Sequence, residues 1–177
     1  ETFRTLNNNE IRKLNDIAKK YNIKYHNKHK LDLVDEILSN VDIIPNSIAL
    51  AQAAIESGWG KSRFAKEYNA LFGEYTYDNS KGVIPLEREN GDTHLIKAFS
   101  SYSNSVESYF DNINSHNAYE DFRDIRNIMR ERNNFSNVNL LVNKLSTYAE
   151  DENYINTIRQ VIKTNNFSIF DQKTITY

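Results

Sequence analysis

Gln52-Ala53-Ala54-Ile55-Glu56-Ser57-Gly58-Trp59-Gly60 includes the end of an uncharged run that starts at Val41 and is broken only by Asp42. Glu56 ends that run. A carboxylate set against apolar packing loses hydration, which disfavours its charged form and raises its pKa toward the range of a general acid. Trp59, three residues on, is close enough to share a helix face or the turn that ends it, and an indole beside a carboxyl is one way to make a dry pocket. The plainer alternative is a surface glutamate at a helix end with a core tryptophan beside it. Either way the local structure is the same. Pro45-Asn46-Ser47 supplies turn and capping chemistry, a helix runs to about Ser57, and Gly58 and Gly60 stop it. Ala49, Ala51, Ala53 and Ala54 keep it small on nearly every side, so neighbouring backbones approach closely and the helix is central.

Outward from this stretch the chain is mostly helical. Ile11, Leu14, Ala18 and Tyr21, then Leu31, Val34, Leu38 and Val41, recur at helical spacing on either side of a basic loop. A short helix from about 61 to 67 precedes a turn at Asn69-Ala70-Leu71-Phe72-Gly73. The pattern then changes: residues 74–77 are β-prone, and 83–89 and 93–99 flank Asn90-Gly91, the signal of a two-residue hairpin turn. That turn sets Glu87 opposite His94. Helical spacing returns through Val106, Tyr109, Phe110 and Ile113, then Tyr119, Phe122, Ile125 and Met129, then Leu141 and Leu145, then Tyr154, Ile158 and Ile162. The tail from 167 to 177 carries no such pattern and reads as extended or docked. The expected fold is mainly α (α+β): a single domain, 1–177, whose helical body carries a small β-hairpin lobe, about 72–99, forming one side of a cleft.

Composition narrows the partners. The formal charge is −2 with both signs interspersed, so no field favours nucleic acid or an anionic membrane. The absence of cysteine excludes disulfides, thiolate metal sites and a cysteine nucleophile. The histidines show no metal-ligand spacing, so neither a catalytic metal nor another cofactor is expected. No apolar run approaches the roughly 20 residues that span a bilayer, and a start at Glu1 reads as a processed or trimmed terminus. Aromatics make up 12% of the chain, with 11 tyrosines, more than a core requires and suited to a surface that stacks on sugar rings.

Several further words join the opening stretch in one order: residues 44–60, Ser62-Arg63-Phe64-Ala65, Asn69-Ala70-Leu71-Phe72-Gly73, Val83-Ile84-Pro85-Leu86-Glu87, Phe99 with Tyr102, and Ser105-Val106-Glu107-Ser108-Tyr109 running on to Tyr119. Together they resemble the Bax-type branch of the family 73 glycoside hydrolases, peptidoglycan N-acetylglucosaminidases that also include flagellar cell-wall hydrolases. The resemblance covers roughly residues 31–163 and leaves the N-terminal helix and the tail outside. It implies a lysozyme-like fold, hydrolysis of the β-1,4 bond after N-acetylglucosamine in peptidoglycan glycan strands, and a place in the bacterial cell envelope, periplasmic or secreted. It also implies that Glu56 is the general acid, Glu87 the second acidic residue on the hairpin, and Tyr119 an active-site tyrosine.

The residue types fit that chemistry, because cleaving a glycoside needs a proton for the leaving oxygen and a second carboxylate for the opposite task. Glu89, two residues from Glu87 on the same strand face, is the rival for the second role. Asn69, Trp59, Phe72 and His94 are the candidate substrate-binding residues. Asn69 has holding the turn as its alternative, Trp59 and Phe72 have packing, Tyr119 has plain core, and His94 has a place as hairpin partner. Two other functions stand as alternatives on the same kind of fold: a lytic transglycosylase of peptidoglycan, and a non-catalytic glycan-binding or structural module of an envelope or phage assembly.

Overall fold

A computed structural model describes residues 6–23, 30–85, 93–132, 137–149 and 151–171 of the chain, with side chains left aside at 30–32. Among the described residues, eight α-helices and a three-stranded antiparallel sheet make the chain mainly helical, as the periodicity predicts. Two compact units divide it, residues 1–43 with 111–148 and residues 44–110 with 149–177. No helix among the described residues is long and apolar enough to cross a membrane.

The first unit opens with α1 (Asn8–Lys20) and α2 (Lys30–Asn40). The side chain of Asn7 accepts from the backbone N–H groups of Asn9 and Glu10 while Glu10 reaches back to the Asn7 N–H, so a capping box starts α1. Ala18, Leu33 and Ile37 pack together between the two helices, with Leu14, Ile23 and Val41 against them. The unit continues with the end of α5 (Tyr102–Ser115), a 3₁₀ turn (Asn117–Tyr119), α6 (Glu120–Glu131) and α7 (Asn139–Val142). Leu145, expected to extend the last of these, is buried just beyond its end. A fully buried arginine ties this unit together. Arg126 donates to the carbonyls of Asn40, Asp42 and Ile43 and to Asn114 Oδ1, at 2.7–3.2 Å. The Asn40 carbonyl belongs to the last residue of α2, where the α-helix leaves its acceptors unpaired. Burial pushes the Arg126 guanidinium down to about 10, against the pull of Asp42, so it stays charged at neutral pH.

In the second unit α3 (Asn46–Glu56) is the central helix: Ser47, Ile48, Ala51 and Gln52 are fully buried. It packs on α8 (Tyr154–Thr164) and on a 3₁₀ turn, Phe167–Phe170, that docks the tail. The cap of α3 is not the local one. Pro45 offers no side-chain acceptor, and Asp171 Oδ1 instead accepts from Ser47 N at 2.8 Å while Asn46 Nδ2 donates to the Phe170 carbonyl at 2.8 Å. The short helix α4 (Arg63–Tyr68) follows.

Three short strands complete this unit: β1 (Tyr75–Thr76), β2 (Gly82–Val83) and β3 (Leu95–Lys97), with β3 in the middle. The expected hairpin is therefore the β2–β3 part of a larger sheet. Its register also differs from that of a two-residue turn, which would set Val83 opposite Ala98. Val83 pairs with Ile96 and Gly82 with Lys97. A shift of two keeps every side chain on its face but removes the basis for opposing Glu87 to His94. Glu87, Glu89 and Asn90-Gly91 lie outside the described residues.

Candidate active site

Helical periodicity puts Ile48, Gln52 and Glu56, each four residues apart, on one stripe of α3. The stripe faces α8, whose first residue, Tyr154, is buried and meets two of the three. Tyr109 on α5 donates its O–H to Gln52 Oε1 at 2.7 Å, which fixes the amide with its nitrogen toward Tyr154. Gln52 Nε2 then donates to the Tyr154 hydroxyl oxygen at 2.9 Å, and Tyr154 donates its own proton to Glu56 Oε1 at 2.7 Å. Each proton in the chain Tyr109, Gln52, Tyr154, Glu56 thus has one direction. With Tyr154 donating its one proton to Oε1, a protonated Glu56 carries its hydrogen on Oε2.

That second oxygen faces Gly73. A Cβ on Gly73 would lie 3.6 Å from Glu56 Oε2, and the residue sits at φ +62°, a conformation that strains any L side chain. The approach is built by the loop before it. Asn69, at φ +52°, ends α4 and donates Nδ2 to the Phe99 carbonyl at 3.0 Å. Leu71 N donates to the buried Ser105 Oγ, and Phe72, 4% exposed, stacks on Tyr109 with ring centroids 4.1 Å apart. Asn69 therefore holds the turn and Phe72 packs.

Burial pushes the Glu56 carboxyl above its ordinary value, and the hydrogen bond from Tyr154, which favours the charged form, only partly opposes it. Its place as the last residue of α3 acts in the same direction as burial, since the negative end of the helix dipole disfavours an anion there. Burial, with the Glu56 charge beside it, holds the Tyr154 phenol far above its usual range, so it remains a donor at any working pH.

Trp59 is not a core residue. Gly58, Trp59 and Gly60 all have positive φ, at +56°, +58° and +72°, and the indole is 55% exposed, with the Phe167 ring 6.4 Å away. The buried Ser57 hydroxyl holds this turn by accepting from Gly60 N and donating to the Ala53 carbonyl. A bulky residue in the left-handed region is uncommon and marks a conformation fixed by its surroundings. His94, the residue before β3, stacks on Tyr75 with centroids 4.2 Å apart. Tyr119 belongs to the first unit, where it is buried with the rings of His116 and Tyr148 each 6.1 Å away. Among the described residues no group of three or more His, Asp or Glu is arranged to hold a metal ion.

The uncharged run before it singled out Glu56 but not its partners. Tyr154 and Tyr109 read as apolar stripe residues of their helices, and Gln52 as one more uncharged residue of an alanine-rich run. The available signal was Gln52 itself, a buried amide four residues before an acid and in need of partners for both ends.

The profile of the glucosaminidase family, described as mannosyl-glycoprotein endo-β-N-acetylglucosaminidase, matches residues 31–167. The chain is 34% identical over 140 residues to the Bax protein of Escherichia coli strain K12, covering 79% of this chain and 49% of that protein. It is 37% identical over 92 residues to the peptidoglycan hydrolase FlgJ of the same strain, covering 46% of this chain and 29% of FlgJ. The chain thus spans about half the length of Bax and less of FlgJ. The crystal structure of the catalytic domain of the autolysin Auto from Listeria monocytogenes is similar with a TM-score of 0.55 and 20% identity, covering 96% of this chain and 92% of that one, a likeness of fold alone.

Proposed function

Since this chain belongs to the glucosaminidase family, we propose that it is an endo-β-N-acetylglucosaminidase that hydrolyses the β-1,4 bond after N-acetylglucosamine in bacterial peptidoglycan, with Glu56 as general acid. The observation that carries the reading is the state of Glu56: half-buried, raised in pKa, held at Oε1 by Tyr154, and with Oε2 toward Gly73. A relative is a peptidoglycan hydrolase by name, which supports the choice of glycan.

In this mechanism Glu56 gives its Oε2 proton to the leaving glycosidic oxygen as the C–O bond breaks. The carboxyl becomes an anion in that step, and the Tyr154 hydrogen bond, weak to a neutral acid, becomes charge-assisted. It therefore stabilises the transition state more than the ground state, which is what lowers a barrier. Tyr154, oriented by Gln52 and Tyr109, is a positioning residue. Glu87 takes the complementary task of activating water, and the chain works as a catalytic domain on glycan strands in the cell envelope. No nucleic acid and no cofactor enters the scheme.

Digestion of purified peptidoglycan with wild type and Glu56→Gln, with products read by mass spectrometry, tests the reading. Wild type should release new reducing ends at N-acetylglucosamine. Glu56→Gln should keep its circular dichroism and lose at least about 10²-fold in rate, as expected when a positioned proton donor is removed. Activity within a few-fold of wild type would overturn Glu56 as the acid. Anhydro-muramyl products would mean transglycosylation, and an inert wild type would mean a binding module.

A further inference from the structure

The ladder pairs of the sheet sort its side chains cleanly. Tyr75, Ile96 and Val83 stand in one row across β1, β3 and β2, because residues paired in an antiparallel ladder share a face. Thr76 with Leu95, and Gly82 with Lys97, belong to the opposite face. That opposite face is the packed one. Leu95 is 5% exposed, a Cβ on Gly82 would strike Leu95 Cβ at 2.5 Å and Thr76 Cγ2 at 2.6 Å, and Lys97 is held by Ser108 of α5 and by Glu74. The Tyr75 face is open: Tyr75 is 64% exposed and Tyr77, just after β1, 76%. His94 lies with its ring stacked on Tyr75 and tilted by 27°. A stacked ring covers one side of Tyr75, and its exposure leaves the other side to solvent.

We propose that this face, Tyr75 backed by His94 with Tyr77 beside it, is a stacking platform for the N-acetylhexosamine rings of the glycan strand whose bond Glu56 cleaves. The inference rests on the glycosidase reading of that acid. Two observations choose this occupant. The first is continuity: Tyr75 is two residues from Gly73, hence at most about 7 Å of chain from the residue against Glu56 Oε2. A strand long enough to be a polymer substrate and seated at Glu56 has the sheet within its reach. The second is chemistry. The residues on this face, Tyr75, Tyr77, His94, Ile96 and Val83, are aromatic or aliphatic. Phenol and imidazole rings offer an apolar face with a polar edge, the same alternation that a pyranose shows in its C–H face and hydroxyl rim. His94 keeps Tyr75 in place, so the platform binds without first ordering a free side chain.

The test is calorimetric titration of β-1,4-linked N-acetylglucosamine oligosaccharides, from disaccharide to hexasaccharide, into Glu56→Gln protein with and without Tyr75→Ala. Affinity should rise with oligosaccharide length in the parent, and Tyr75→Ala should remove about tenfold from the longest ligand while leaving the disaccharide unchanged. Tyr75→Phe, which keeps the ring, should restore long-ligand binding, and His94→Ala should show part of the loss. Exposure of Tyr75 makes both substitutions compatible with folding, and circular dichroism checks it. Equal affinity of Tyr75→Ala and parent for the hexasaccharide would overturn the platform. Self-association abolished by Tyr75→Ala, with glycan binding intact, would assign the face to a second copy and overturn it too. The two readings separate. Loss of hydrolysis in Glu56→Gln with a neutral Tyr75→Ala leaves the acid standing without the platform. Length-dependent binding through Tyr75 in a wild type that cleaves nothing leaves the platform standing without the enzyme.

Discussion

Tyr154 acts on Glu56 against the effect of burial. Its hydroxyl favours the carboxylate and so lowers the pKa that desolvation raises. Removing the hydroxyl removes only the lowering part. Tyr154→Phe is therefore expected to push the Glu56 pKa further up and to move the alkaline limb of kcat/KM to higher pH, since the acid must be protonated to act. It should also reduce kcat by about tenfold, the worth of one hydrogen bond to a developing charge at roughly 1.5 kcal/mol. A pH profile of both enzymes separates this from structural damage, which would lower the rate without moving the limb. Glu56 was legible in the sequence because it ends a long uncharged run, and runs are local. Tyr154 was not, because a phenol on an apolar stripe looks like packing until the helix opposite is known, and that helix lies 98 residues earlier. Trp59 had two readings, substrate contact and packing, and a helix-end indole could not decide between them from sequence; its 55% exposure, on a turn at φ +58°, removes the packing one.

At the scale of elements, α3 depends on a residue far outside it. Its first free N–H groups have no cap in Pro45, and Asp171, carried in by the Phe167–Phe170 turn, accepts from Ser47 N. A carboxylate at a helix N-terminus gains from both the hydrogen bond and the dipole. Asp171→Ala should thus destabilise the protein by about 1–2 kcal/mol in a urea unfolding series, with the slope of the transition unchanged. An unaltered midpoint would show that water replaces the cap at no loss. Most of the helices were readable from period, and the alanine-rich α3 from the capping residues before it and the glycines that stop it. The cap was not, because Pro45-Asn46-Ser47 carries capping residue types and a sequence window cannot see a competitor 124 residues away. The sheet shows the same limit. Asn90-Gly91 predicted the register of a two-residue turn, whereas the described strands pair two residues away from it, with Leu95 packed against Thr76 and Gly82, a tertiary constraint that a sequence window cannot see.

For the molecule as a whole, the raised carboxyl lowers stability. Glu56 is easier to ionise in the unfolded chain than in the folded one, so between the ordinary value of 4.5 and its higher folded value the native state holds the extra proton. Stability then falls as pH rises through that window and stays lower above it. Glu56→Gln lacks this proton and can still accept from Tyr154. Its melting temperature should match wild type below pH 4.5 and exceed it at neutral pH, and a difference of the opposite sign would mean that the carboxylate is favoured by the fold. Order of elements and fold class were legible at this scale because they rest on hydrophobic period summed over many residues. The polar chain from Tyr109 to Glu56 was not, since it is a matter of single hydrogen bonds between distant segments. One last consequence belongs to the turn at Gly58-Trp59-Gly60. It holds the chain's single tryptophan, and that indole already meets water in the native state. Its fluorescence is therefore a local reporter of the ground beside Glu56 and a poor gauge of unfolding, a signal that belongs instead to the sheltered phenols of Tyr109, Tyr119 and Tyr154.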